Sequence, residues 1–425
     1  MAVFTFGDCK QSVISNQLIM RLAMLGVDDA TLALAAAAMR GGHDEIALID
    51  ATASRAAEAK AIAGNARPMT NWENALDTSS LDAVLVAADQ PMGEPSNIRV
   101  EQLRRLIQAG MPLIVSHPIS LSMLECYELE MIREESHSVV LPYLPAQWHP
   151  AAIQLQSLVE QDDSAEIGSI EQIVFERFLP VRNRETVLRQ FAMDADLLQF
   201  VAGPATKLHA LGTEAGKSAG PYLNLTVQMT SARGLVCRWS VSPAEAGSGS
   251  RLTVIGAHGK AVMQMPDRGA WQLEVRGTSN MEDPHWDPAA MALEKLAAAM
   301  QSEQTEPTWA QASRTVELAE TIDRSLAKGR TIDLHQEEFT DIGTFKGTMT
   351  SIGCGLLVAG LVLVVVVALL HLLAVQAGWG KLANLLDHWP ILLLVVCGLY
   401  LLLQPLAFIG RPRQTQDKGG NESRR

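Results

Sequence analysis

Cysteine is sparse and shows no pairing pattern: Cys9, Cys126, Cys237, Cys354 and Cys397 form no CxxC pair and have no histidine at metal spacing. That argues against a disulfide framework and against a zinc site, and it suits small buried hydrophobes in a reducing compartment. Positive charge is outweighed, with 34 Lys and Arg against 47 Asp and Glu and a formal net charge of -13. Nothing here neutralises a run of phosphates, so a nucleic-acid partner is excluded. The start of the chain also lacks a basic segment followed by an apolar stretch, the pattern of a secretory leader.

Charge is missing altogether from two long stretches. Residues 352–375 are dense in Leu, Val and Ala, with His371 as the strongly polar exception, and residues 389–409 are again uncharged, with Gln404 and Pro405 near the end. Each is long enough to cross roughly 30 Å of hydrocarbon as a helix. Trp379, Trp389 and Tyr400 supply interfacial aromatics. The expectation is a transmembrane hairpin of two helices over 352–410, preceded by a linker at 336–351. The tail, 411–425, carries Arg411, Arg413, Lys418, Arg424 and Arg425, whereas Lys381 is the one full positive charge between the spans. The positive-inside rule places that tail in the cytoplasm, and two crossings return the N-terminal body to the same side. The expected protein is thus integral to the cell inner membrane, with the lipid bilayer as a partner and the soluble body and both termini cytoplasmic.

At 425 residues the chain exceeds one hydrophobic core, so two folded units are expected before the hairpin. Residues 2–7 (AVFTFG) read as an opening strand, followed by helices at 12–25 and 29–39, a strand at 45–50 and a helix at 51–63. Strands at 81–88, 112–116 and 138–144 alternate with helices at 99–109 and 121–135. Continuous Val, Ile and Leu strands alternating with helices mean a parallel sheet covered on both faces, which gives an α/β Rossmann-like dinucleotide-binding domain over 1–148. Beyond it, closely spaced strands with Gly, Ser and Pro turns predict an α+β domain with an open, largely antiparallel sheet over 149–335. Its helices fall at 151–159, 194–201, 288–300 and 308–328.

A strand ending in Gly7 and another ending in Asp50 supply what a dinucleotide needs: a tight turn into a helix N-terminus for the pyrophosphate and a carboxylate for the ribose. In the G-x-G-x-x-G pattern the second and third places then hold Cys9 and Ser12, and the interval from Gly7 to Asp50 is longer than usual.

Residues 1–335 resemble the Gfo/Idh/MocA oxidoreductases, which include glucose-fructose oxidoreductase and inositol dehydrogenase. The resemblance is carried by LDAVLVAA, AGMPLIVSHPISLSMLEC, WHPAAIQLQSLVE followed by IGSI, MDADLLQFVAG, LTVIGAHGKAV and ELAETIDRSLAKGRTIDL, in that order. It implies hydride transfer between NAD or NADP and a sugar or polyol, helped by a lysine in Glu-Lys-Pro and a histidine in His-x-x-Asp. Here those motifs appear as Ser116-His117-Pro118 and Met193-Asp194-Ala195-Asp196, and Gln147 stands where many members have arginine. The implied cofactor residues are Gly7, Cys9, Ser12, Asp50, Ser116 and Pro118. The candidate catalytic set is His117, Asp194 and Asp196. Met193 cannot take a proton, and His117 can serve as a turn residue as readily as a proton carrier.

Three functions follow from this reading. The first is a membrane-anchored member whose oxidoreductase site is degenerate, with NAD or NADP binding weak or lost, that still binds a nucleotide or sugar-like small molecule or a partner. The second is an active dehydrogenase with a site rearranged around His117, Asp194 and Asp196. The third is a membrane scaffold. A homo-oligomer fits any of them.

Overall fold

The computed structural model describes residues 19–43, 46–49, 53–62, 67–69, 71–76, 80–88, 98–161, 166–212, 220–280, 286–302 and 305–334, with Val366, Leu369 and Gln376 beyond them. The chain divides into two units, Met1–His335 and Gln336–Arg425. The linker, the basic tail and both apolar runs expected to form the hairpin lie outside the described residues, apart from Val366 and Leu369, which are helical and exposed. Among the described residues no helix is long and apolar enough to cross a membrane.

The first sheet has six parallel strands in the order β3-β2-β1-β4-β5-β6. They are β1 (Leu22–Leu25), β2 (Ile46–Ile49), β3 (Arg67–Met69), β4 (Ala83–Val86), β5 (Leu113–Ser116) and β6 (Val140–Tyr143). The helices between them are α1 (Asp29–Arg40), α2 (Ala53–Ile62), α3 (Ile98–Gln108) and α4 (Met123–Ser136). β1, β4 and β5 are buried along their whole length, as continuous apolar runs covered on both faces should be. The strand order reverses between β1 and β4, so the carboxyl ends of those strands open the crevice in which ligands of doubly wound sheets bind.

The opening of this sheet differs from the sequence reading. Residues 2–7 lie outside the described residues, and the strand that leads into α1 is β1, inside the stretch expected to be helical at 12–25. The helix at 29–39 is therefore the first crossover helix itself, and the long interval from Gly7 to Asp50 does not arise when the turn after β1 is the one counted. Gly26 makes the turn between them at φ 76°, and a Cβ there would stand 2.6 Å from Nη2 of Arg99, so both the backbone conformation and the space call for glycine.

Next come α5 (Pro150–Glu160), β7 (Ile170–Leu179) and α6 (Arg184–Ala202). The second sheet runs β14-β13-β12-β11-β7-β10-β9-β8-β15. Its further strands are β8 (Ala205–Leu211), β9 (Thr226–Ser231), β10 (Val236–Pro243), β11 (Ser250–Gly256), β12 (Gly259–Met265), β13 (Gln272–Val275), β14 (Thr278–Asn280) and β15 (Ile332–Asp333). All pairings are antiparallel except β10 with β7. α6 begins ten residues earlier than its apolar half suggested, because Asn183 caps it through the Thr186 amide and Val187, Leu188 and Phe191 bury its first turns. α7 (Pro288–Ser302) packs Ala292, Leu293 and Leu296 into the same core as Leu34 and Ala38 of α1, so it covers the first sheet. α8 (Trp309–Lys328) contributes Trp309 to the first domain's core and Leu318, Ala319 and Ile322 to the second's, which joins the two.

Candidate functional site

At the crevice, the turn from β1 to α1 is Gly26-Val27-Asp28, and Asp28 occupies the N-cap of α1. Its Oδ1 accepts from the Thr31 amide at 2.8 Å, while Thr31 Oγ1 accepts from the Asp28 amide at 2.9 Å, a reciprocal capping box. The same carboxylate accepts from the Ala88 amide, just past β4, at 2.8 Å and from Ser116 Oγ, at the end of β5, at 3.1 Å. Asp28 is buried, and the guanidinium of the fully buried Arg99 lies against Gly26. Counted from Gly26, the second and third glycine places are Asp28 and Thr31, and Asp50 follows 24 residues later, close to the usual interval. Gly26, Asp28 and Thr31 were missed at the sequence level, although that interval was the signal that could have found them. Gly7, Cys9, Ser12 and Asp50 themselves lie outside the described residues.

Ser116 spends its hydroxyl on Asp28, and the Pro118 carbonyl accepts from Arg189 Nη1 at 2.9 Å; the His117–Pro118 bond is cis. His117 Nε2 sits 2.7 Å from Thr315 Oγ1 in α8. Because that hydroxyl donates to the Ala312 carbonyl at 2.8 Å, His117 Nε2 must carry the proton and donate to Thr315. Burial, and then the charge of Arg189, push the imidazole pKa down to about 3. His117 is thus a neutral residue held by α8, and it is not among the residues that line the cavity holding Asp194 and Asp196.

That cavity, of about 180 Å³, lies between the end of β6, α6 and the second sheet. Tyr143, Trp271 and Trp286 give it an aromatic wall, and Gln190, Met193, Asp194 and Leu197 present one face of α6 to it. Asp194 accepts from Arg177 Nε at 3.0 Å, from Arg177 Nη2, from Gln190 Nε2 at 3.2 Å and from Trp239 Nε1 at 2.9 Å. A carboxylate so saturated forms a buried ion pair that fixes α6, and breaking such a pair costs about 3–5 kcal/mol. Arg177, Gln190 and Trp239 were not legible as its partners, since two of them sit on other strands. Met193 is 42% exposed and offers a thioether.

Asp196 is different. It is 7% exposed, lines the cavity, and its Oδ2 has no hydrogen-bond partner among the described residues. Burial pushes its pKa up to about 7. Ser250 Oγ and Trp286 Nε1, on the same cavity, are likewise buried without a partner. Tyr143 stays a neutral phenol, because burial and the charge of Asp287 raise its pKa. Three orphaned polar atoms facing one aromatic-walled space are the mark of a small-molecule site. Among the described residues no group of His, Cys, Asp and Glu is arranged to hold a metal ion.

Residues 20–143 match the sequence model of the Gfo/Idh/MocA family, described as an oxidoreductase family with an NAD-binding Rossmann fold. A comparison with curated proteins found no match. Among solved structures, a myo-inositol dehydrogenase from Corynebacterium glutamicum is similar at a TM-score of 0.59 and 19% identity, covering 75% of this chain and 99% of its own. A scyllo-inositol dehydrogenase from Lactobacillus casei, with bound NAD(H) and scyllo-inositol, is similar at 0.57 and 14% identity over 74% and 99%. An aldose-aldose oxidoreductase from Caulobacter crescentus, complexed with glycerol, matches at 0.59 and 13% identity over 74% and 99%. At these identities the likeness is one of fold.

The environment of Asp196 makes stability depend on pH. Folded Asp196 keeps its proton up to about pH 7, whereas the unfolded chain releases it near pH 4, so the folded state binds more protons in that window and stability falls as pH rises through it. Asp196→Asn removes this contribution. In urea unfolding of the full-length protein in detergent, the variant should gain on the wild type between pH 5 and pH 8, by on the order of a few kcal/mol. An unchanged difference at the two pH values would mean that Asp196 titrates normally.

Proposed function

We propose that this chain is a membrane-tethered protein of the NAD(P)-type oxidoreductase fold whose dinucleotide site is degenerate and whose substrate cavity binds a small, sugar-like molecule without efficient turnover. The observation that carries this reading is the Asp28 carboxylate on the N-terminus of α1. In a dinucleotide-binding sheet that helix end receives the pyrophosphate, with a glycine at the second place to let the backbone approach. Here an anion of the protein's own has taken the Thr31 and Ala88 amides and the Ser116 hydroxyl. A pyrophosphate would have to displace it or lie against it, like charge on like charge. The residues present do not fit the dinucleotide, and no hydride step is derived for them. Met193, which lines the cavity, accepts no proton, and His117, which does not line it, is held by Thr315.

One observation favours the rival reading of an active dehydrogenase. Asp196 titrates near neutrality in the cavity, as a general base should. Fluorescence titration of the full-length protein with NADH and NADPH separates the two. Saturation should not be reached at about 1 mM, and Asp28→Gly, which frees the Thr31 and Ala88 amides at a stability cost of about 1–3 kcal/mol for each buried donor left unpaired, should tighten binding by about tenfold or more in the folded variant. Micromolar binding by the wild type, with oxidation of a polyol when NAD+ or NADP+ is supplied as hydride acceptor, would establish the dehydrogenase.

The tether rests on the uncharged runs at 352–375 and 389–409 and on the basic tail. The protein should stay in the membrane fraction through alkaline carbonate washing, with reporters fused after Arg425 and within residues 380–387 on the cytoplasmic and opposite sides respectively. Release by carbonate, or an external tail reporter, would rule out the hairpin.

A further inference from the structure

The cavity's charge is not balanced. Its lining holds one arginine, Arg177, against three aspartates, Asp194, Asp196 and Asp267. Asp194 takes up Arg177 in a two-pronged ion pair, and Asp267 Oδ2 accepts from the Gly249 amide at 3.1 Å. Among the described residues Asp196 has no counter-charge, and its Oδ2 is buried and unpartnered. A carboxylate in that position is relieved by a proton or by a cation, and which of the two acts is set by what else faces it. The same cavity is lined by Tyr143, Trp271 and Trp286, the two indoles 5.3 Å apart, with His149 stacked on Trp271 at 4.4 Å. An aromatic wall paired with an uncompensated carboxylate is the arrangement that holds an ammonium group, through the ring faces on one side and a charge-assisted hydrogen bond on the other. The remaining orphans, Ser250 Oγ and Trp286 Nε1, are suited to hydroxyl groups.

We propose that this cavity takes a small polyhydroxylated molecule carrying a protonated amine, of the amino-sugar or amino-polyol class, with the Asp196 carboxylate as its anionic partner. The proposal deepens the small-ligand reading above and rests on it. A volume of about 180 Å³ suits a single small ring or short chain. Binding would hold Asp196 in its charged form and so release its proton near neutrality. The other ionisable groups on the cavity are Arg177 and Asp194, which pair with each other, Asp267, which accepts from the Gly249 amide, and the phenol of Tyr143.

The test is calorimetric titration of the full-length protein in detergent with D-glucamine and with sorbitol, which differ by an ammonium in place of one hydroxyl. D-glucamine should bind about tenfold or more tighter than sorbitol, and Asp196→Asn should remove most of that preference while changing sorbitol binding by no more than about twofold. Near-UV circular dichroism checks that the variant is folded, and the wild-type comparison stands without it. Equal or stronger binding of sorbitol would overturn the ammonium partner while leaving a small-ligand site. Binding of neither compound at millimolar concentration would overturn both.

Discussion

The functional reading turns on one carboxylate. Asp28 closes the first turn of α1 and ties it to the ends of β4 and β5, so the carboxyl edge of the parallel sheet is held together by hydrogen bonds of 2.8 to 3.1 Å converging on a single side chain. Helix N-termini attract anions because their first amides lack partners and the helix dipole is positive there. In a nucleotide-binding sheet that property is left available to a ligand. This chain satisfies it internally, and the Arg99 guanidinium buried against Gly26 adds a fixed positive charge beside the same turn.

The second domain keeps its binding machinery in a different condition. Its α6 is fixed by Asp194, which collects Arg177 from β7, Trp239 from β10 and Gln190 from its own helix. That clamp positions Met193 and Asp196 at the cavity without itself being available for chemistry. On the proposed reading, loss of cofactor affinity and retention of a polar, aromatic-walled cavity would be separable, because the first depends on the turn after β1 and the second on α6 and the second sheet.

The sequence made the parallel strands at 81–88, 112–116 and 138–144 legible, since each is a continuous apolar run with helical periodicity on either side. It concealed β1 because LAML is four residues long and continues an apolar pattern that also suits a helix, while the AVFTFG segment ends in glycine as a first strand should. β3 was invisible for the opposite reason, its Arg67-Pro68-Met69 carrying no apolar pattern. Motif resemblance located Asp194 and Asp196, but nothing in local sequence separates their fates. One is saturated by Arg177 and Trp239, 17 and 45 residues away, and the other is left buried and unpartnered. The partner of His117, Thr315, was hidden for the same reason, lying 198 residues along the chain.

The central claim is that Asp28 stands where a dinucleotide's pyrophosphate would lie, and a crystal structure of the protein grown with millimolar NADH tests it most directly. The account predicts the Asp28 carboxylate still on the Thr31 and Ala88 amides, with no pyrophosphate at the N-terminus of α1. A dinucleotide seated there, with Asp28 turned aside and those two amides bound to phosphate oxygens, would contradict it.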